Sequence, residues 1–375
     1  MRLAYQALQY SFSYSAPPLV TEDARPPFLE FFAGSGLVSY ALSPYFKGMW
    51  ANDICPKKAA VFGANHEGTP FELCSIADVS GKKLPPSILS WASFPCQDLS
   101  LAGNGEGIRA KRSGLVWEWL RVMDEMPQRP PLLAVENVVG LISTDEGAHY
   151  RELHRALAER GYKVGALLLD AAHWLPQSRP RVFVIAVDAR VSIPKNLLVT
   201  KPTWAHSTAI QKIAAERENW IWWSLPKPEA RWLTLSEIVD FSIPCQDVAT
   251  SKKNLALIPP VHMRRLQESG LSVAPGYKRI RSKKQVLELR FDDIAGCLRT
   301  PAGGSSRQYL VIKCGNEWRT RILSPREAAR LMGAPEGFRL PGTFNDGYKA
   351  MGDAVAAPVA AYLAQHLLSP LAKSL

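Results

Sequence analysis

Four short stretches of this 375-residue chain carry residue types that could do covalent and acid–base chemistry. Ser93-Phe94-Pro95-Cys96-Gln97 puts a thiol just after an apolar run. A cysteine at the C-terminal edge of a parallel sheet can lie near a helix N-terminus, which favours the thiolate. An inert, buried thiol is the plainer use of one cysteine taken alone. Glu136-Asn137-Val138 adds an acid and an amide at the end of another apolar run. A carboxyl in apolar surroundings holds its proton to higher pH and can donate it. Gln177-Ser178-Arg179-Pro180-Arg181 brings two guanidiniums ahead of RVFVIAVD, as a surface loop would also do. Phe32-Ala33-Gly34-Ser35-Gly36 sets two glycines where a ligand could approach backbone at a helix start. Ser39 occupies the position of the third glycine of a dinucleotide fingerprint, which disfavours a pyrophosphate cofactor. Asp53 falls where such folds hydrogen-bond a ribose, although turn and acid could both be purely structural.

These residues need a frame, and the apolar pattern supplies one. FLEFF (28–32), GMWAND (48–53), ILSWASF (88–94), PLLAVENV (131–138), GYKVGALLLDA (161–171) and RVFVIAVD (181–188) read as buried strands. Helices are expected over LVSYALSPYF, 56–66 and about 114–126. The alternation predicts a mostly parallel, doubly wound α/β sheet. Residues 1–26 read as an arm, rich in proline toward its end. After Asp188 the rhythm breaks, and residues 191–343 are expected to form a smaller inserted domain. VAAPVAAYLAQHLL (355–368) returns as a helix closing on the sheet, so 27–190 and 344–375 together make the main domain.

Charge follows the same division. The chain carries 45 Lys+Arg and 34 Asp+Glu, net +11, and 191–343 alone holds 24 against 13. A neutral frame with a basic insert points to a polyanionic partner held by the insert. Lys278, Arg279, Arg281, Lys283, Lys284 and Arg290 form its densest cluster, which could equally be a solvated strand edge. Trp220, Trp222 and Trp223 could stack on bases, with core packing as the plainer use. No apolar run approaches the roughly 18 residues of a membrane span, and the first residues lack a signal-peptide pattern. The six cysteines show no CxxC pair, so reduced thiols and no metal site are expected.

FAGSG, PCQ, ENV and QSRPR occur in this order, followed by REAARLMGAPEGF (326–338) and GDAVAAPV (352–359). The set resembles the DNA (cytosine-5) methyltransferase family over 28–188 and about 296–368. The resemblance implies a Rossmann-like S-adenosylmethionine-dependent methyltransferase fold with an inserted target-recognition domain. It makes Cys96 the nucleophile toward cytosine C6, Glu136 the acid at N3 and Arg181 the contact to O2, with Arg179 and Gln177 as supports. It assigns Phe32, Ala33, Gly34, Ser35, Gly36, Asp53, Ile54, Pro95, Leu115 and Val355 to the cofactor, S-adenosylmethionine. Two positions depart from the family pattern. Ser75 and Ile76 stand where an acid is usual, and Asp353 replaces an asparagine.

Thr300-Pro301-Ala302-Gly303-Gly304-Ser305-Ser306-Arg307 resembles the glycine loop near the family's target-recognition region, adding Gly303, Gly304 and Arg307 to the DNA contacts. The implied substrate is double-stranded DNA with its cytosine flipped out. Restriction–modification, orphan and prophage settings all fit, with a cognate restriction endonuclease as a partner in the first. A cytoplasmic monomer with no membrane partner is expected. A related methyltransferase acting on tRNA and a non-catalytic DNA-binding protein are the alternatives. The basic insert argues against the former, and retention of Cys96, Glu136 and Arg181 against the latter.

Overall fold

The computed structural model describes residues 24–95, 114–217, 219–300 and 307–375. Cys96, Gly303, Gly304 and most of the 1–26 arm lie outside them. The chain divides into two compact units. One comprises the segments up to Asp170, Pro180–Lys227 and Val359–Leu375, and the other Ala171–Arg179 and Pro228–Pro358.

The first unit is built on a seven-stranded sheet. β1 (Pro27–Phe31) leads through a glycine turn into α1 (Leu37–Leu42), and β2 (Lys47–Asp53) into α2 (Pro56–Asn65), which has Pro56 in its first turn. The short β3 (Phe71–Leu73) precedes β4 (Leu89–Ala92), α3 (Leu115–Glu125) and β5 (Leu132–Val138). Then come α4 (Ala148–Ala158), β6 (Tyr162–Asp170) and β7 (Pro180–Asp188). Spatial order is β3-β2-β1-β4-β5-β7-β6. The five strands from β3 to β5 are parallel, and the apolar residues of β1, β4 and β5 are nearly all buried, as helices on both faces of such sheets require. Leu29, Phe31, Ala92, Leu133, Val135, Val182 and Val184 share one core with Trp119 and Leu120 of α3.

The sheet is mostly parallel, as expected, with strand β7 as its antiparallel member against both β5 and β6. A parallel return needs a crossover of a dozen or more residues, and only 171–179 separate these strands. The reversal matters for the site, because it brings the start of β7 beside the end of β5.

The second unit holds a four-stranded antiparallel sheet. After α5 (Val248–Leu255) and α6 (Pro260–Glu268) come β8 (Val273–Arg281), β9 (Lys284–Leu289), β10 (Gln308–Cys314) and β11 (Glu317–Ile322), in the order β11-β10-β8-β9. Leu266, Ala274, Leu287, Leu289, Tyr309 and Val311 form its core. α7 (Pro325–Leu331) and α8 (Phe344–Asp353), each opened by a capping box, complete it.

The unit boundaries differ from the expected insert of 191–343. Residues 191–227 pack with the large sheet, where Ile221 N–H donates to Val164 O at 3.0 Å and Leu168 N–H to Ala205 O at 2.8 Å. Trp223 is fully buried there, and Trp220 stacks on His154. At the other end, α8 groups with the smaller unit, which runs on to Pro358. The helical run Phe344–Ala372 is long and apolar enough to cross a membrane by length and composition, but its most apolar window is 72% buried. It is also interrupted at 354–356, so core packing accounts for its apolar character.

Candidate active site

The turn after β1 is held from below. Phe32, Gly34 and Gly36 have φ of 58°, 57° and 81°, the left-handed region in which glycine alone is unstrained. Gly34 N–H donates to Asp53 Oδ2 at 2.9 Å, and Cys55 N–H donates to Asp53 Oδ1 at 2.8 Å. The buried Asp53 thus pins the glycine turn to the end of β2. Ser35 is buried within the turn, and Ala33 N–H bonds Asn52 O at 2.8 Å. A Cβ on Gly36 would stand 2.4 Å from the His66 ring, whereas one on Gly34 would meet nothing closer than 3.9 Å. At Gly34 an added Cβ would thus meet only ordinary van der Waals contact with the Lys58 side chain and Phe32 O.

Apolar groups surround the turn. Ile54 is 69% exposed and Leu73 50% exposed, both at the C-terminal edge of the sheet. Phe32 lies edge-on to Phe94 at 6.3 Å, Pro95 is exposed, and Leu115 opens α3 against the core. Ser75 Oγ accepts the Ala77 N–H and caps a short 3-10 turn. Ile76 is buried in the core, and its carbonyl accepts from the Arg121 guanidinium at 3.1 Å.

Behind the turn lies a feature that spacing did not reveal. Glu30 of β1 is buried, and the Ser39 hydroxyl of α1 donates to it. The residue replacing a third glycine is thus engaged by an acid. Burial raises the Glu30 carboxyl to about 8, with Asp53 adding a smaller push.

The acid and guanidinium singled out in the sequence meet. Glu136 lies two residues before the end of β5 and Arg181 is the second residue of β7, and Arg181 Nε lies 3.0 Å from Glu136 Oε1, with both side chains largely buried. Antiparallel pairing sets Arg181 opposite Val138 and Phe183 opposite Glu136, so the ion pair runs diagonally across the two strands. Asn137 was noted only as an amide, yet its Nδ2 donates to Phe94 O at 2.9 Å. It fastens the end of β5 to backbone two residues before Cys96.

The C-5 cytosine-specific DNA methylase family model matches residues 27–369. The chain belongs to that family. It is 25% identical over 351 residues to the type II methyltransferase M.HhaI of Haemophilus parahaemolyticus, covering 92% of this chain and 94% of that protein. With M.Bsp6I of Bacillus sp. it shares 24% identity over 343 residues, 90% of this chain and 96% of the relative. The crystal structure of the S. pombe Dnmt2 methyltransferase superposes with a TM-score of 0.57 at 18% identity, covering 90% and 97% of the two chains, which shows a common fold.

In this C-5 cytosine methyltransferase, Gln177 and Arg179 work inside the smaller unit. Gln177 is fully buried, donates to Leu331 O at 2.6 Å and accepts from Leu298 N–H at 3.1 Å. Arg179 reaches Leu298 O at 3.0 Å, Gly352 O at 3.0 Å and Ala354 O at 2.7 Å. Both side chains bind backbone of the smaller unit. Asp353 is exposed at the end of α8 and accepts from the Thr300 hydroxyl, while Val355 is buried.

The basic cluster lies on the β8–β9 hairpin. Its two-residue turn, Ser282-Lys283, has φ of 46° and 65°, matching the turns that fit strand twist. Arg281 is held bidentately by Glu288 at 2.6 and 3.0 Å, and Arg290 by Asp292. Lys278 and Arg279 lie over the rings of Tyr309 and Tyr277 at 4.7 and 4.9 Å. Lys283 and Lys284 are exposed at the tip and make no ion pair among the described residues. Arg307 donates to Asn345 Oδ1 at 2.7 Å.

Proposed function

We propose that this methyltransferase moves a methyl group from S-adenosylmethionine to C5 of a cytosine flipped out of duplex DNA, through a transient bond between Cys96 and cytosine C6. The observation that carries the reading is the buried Glu136–Arg181 pair, tied by Asn137 to the backbone leading into Cys96. Two features of the turn support cofactor binding: Gly34 has no neighbour closer than 3.9 Å to an added Cβ, and exposed Ile54 offers an apolar face to an adenine. Asp53 has acceptor capacity left on both oxygens for a ribose hydroxyl. Phe32, Ala33, Gly34, Ser35, Gly36, Pro95, Leu115, Asp353, Val355 and the backbone at Ser75 and Ile76 complete the proposed binding set. When bound, the cofactor supplies an electrophilic methyl group on its sulfonium.

The chain supplies the rest. The Cys96 thiolate adds to C6 and pushes electron density into the ring, making C5 nucleophilic. Glu136 donates a hydrogen bond or proton at N3 as charge grows there, and Arg181 holds O2. Once C5 carries the methyl, a base removes its proton and the C6–sulfur bond breaks, returning the Cys96 thiolate. The smaller unit, with its basic hairpin, holds the duplex and offsets the few kcal/mol that extrusion of the base costs. The protein is proposed to act as a cytoplasmic monomer, in a restriction–modification, orphan or prophage setting, with a cognate endonuclease in the first.

Expression in a host lacking cytosine methylation, followed by bisulfite sequencing of host DNA, tests this. Wild type is expected to leave 5-methylcytosine within one short sequence, and Cys96→Ala to leave none while retaining duplex binding. Duplexes carrying 5-fluorocytosine at that site should form a denaturation-stable adduct with wild type only. Methylation by Cys96→Ala would refute the covalent step, and methylation of RNA alone would refute the DNA assignment.

A further inference from the structure

Two cysteines far apart in sequence face each other in the smaller unit. Cys245 Sγ and Cys314 Sγ are 4.0 Å apart. Cys314 ends β10 and is exposed, whereas Cys245 is half-buried in the loop before α5. The chain beside Cys245 is tied to β11, where Gln246 N–H donates to Thr320 O at 2.9 Å and Asn254 Nδ2 bonds both Gln246 Oε1 and Thr320 Oγ1, and β11 pairs with β10 up to Cys314 opposite Glu317. The encounter is thus built into the unit. A disulfide needs about 2.05 Å between the sulfurs, so the two must approach by about 2 Å more. Burial, and after it the neighbouring Cys314, raise the Cys245 thiol above the ordinary range, with Arg321 and Arg319 of β11 opposing in smaller measure.

We infer that Cys245 and Cys314 form a reversible redox site, closed by thiol–disulfide exchange with an anionic low-molecular-weight disulfide such as glutathione disulfide. The exposed Cys314 attacks first. Its thiolate bonds to one glutathione sulfur, the glutathione S–S bond breaks, and one glutathione thiolate leaves. The Cys245 thiolate then attacks Cys314 sulfur and expels the second glutathione. Two electrons and two thiol protons pass from the protein to the oxidant, giving two reduced glutathiones. The bond staples the 245–247 segment to β10, in the unit that carries the basic hairpin. This inference is independent of the catalytic reading above.

The test uses the full chain in glutathione buffers of graded oxidation, quenched by alkylation and mapped by peptide mass spectrometry. Cys245 and Cys314 are expected to lose alkylation together, by on the order of tenfold or more, with a crosslinked peptide pair that dithiothreitol removes. In Cys245→Ser, glutathione should remain on Cys314. In Cys314→Ser, Cys245 should stay alkylatable. Persistent alkylation of both thiols in wild type, a glutathione adduct without a crosslink, or crosslinks to other cysteines would each overturn the inference, whatever the variants do.

Discussion

Glu30 is a carboxylic acid with 2% exposure on a strand otherwise apolar, and burial sets its pKa near 8 rather than 4.5. Between those values the folded chain keeps a proton that the unfolded chain has lost. That contribution to stability is fully present below pH 4.5 and disappears as pH rises to about 8. Glu30→Gln should therefore gain melting temperature relative to wild type steadily from pH 5 to pH 8. A constant offset across thermal denaturation curves would show that Glu30 does not titrate there. Asn137 acts by position instead: Asn137→Ala removes its bond to Phe94 O, at about 1 kcal/mol of stability. Its larger effect should be on kcat, lowered on the order of tenfold to a hundredfold with little change in KM for DNA. An equal loss in both constants would place Asn137 in substrate binding. Neither role was legible in sequence. The Glu136 and Arg181 types and order suggested chemistry, but the Ser39–Glu30 and Asn137–Phe94 contacts exist only once strands and helix are packed.

Among the elements, the glycine turn after β1 is tightly constrained at Gly36. Gly36→Ala would force an alanine to φ +81° with its Cβ 2.4 Å from His66 Nε2 and 2.8 Å from Phe62 Cδ2. Gly68, at φ +91° with open space around it, would bear only the backbone part. Gly68→Ala should cost about 1 kcal/mol in urea denaturation, and Gly36→Ala distinctly more, with S-adenosylmethionine affinity also reduced by calorimetry. Similar costs at the two positions would mean that the His66 ring yields freely. The strands β1, β2 and β4 to β7 were legible because each is a buried apolar run. β3 was not, having three residues that are half-buried or exposed. Nor was the direction of β7, since an apolar run is the same read either way; the short 171–179 connection decided it. The antiparallel sheet of the smaller unit was hidden for another reason. Its β8–β9 turn uses Ser282-Lys283 in place of the asparagine and glycine that announce such turns.

At the scale of the molecule, the charge surplus stays with the smaller unit. Residues 171–179 and 228–358 hold 21 Lys+Arg against 13 Asp+Glu, and the rest of the chain 24 against 21. Part of that excess is already paired, because Glu288 and Asp292 occupy Arg281 and Arg290. The double variant Lys283→Ala/Lys284→Ala should lower the slope of log affinity against log salt by about 2, measured by fluorescence anisotropy on duplex DNA. Arg281→Ala should change it less, and an unchanged slope in the double variant would remove both lysines from the phosphate contacts. The nine residues between β6 and β7 have a different bearing on the whole. They lie in the chain between two strands of the large sheet, yet Gln177 and Arg179 spend their hydrogen bonds on residues 298, 331, 352 and 354. A chimera that exchanged 228–358 between related proteins would leave those two side chains addressing a foreign backbone. The transplantable module is discontinuous, and its smaller piece is the nonapeptide 171–179.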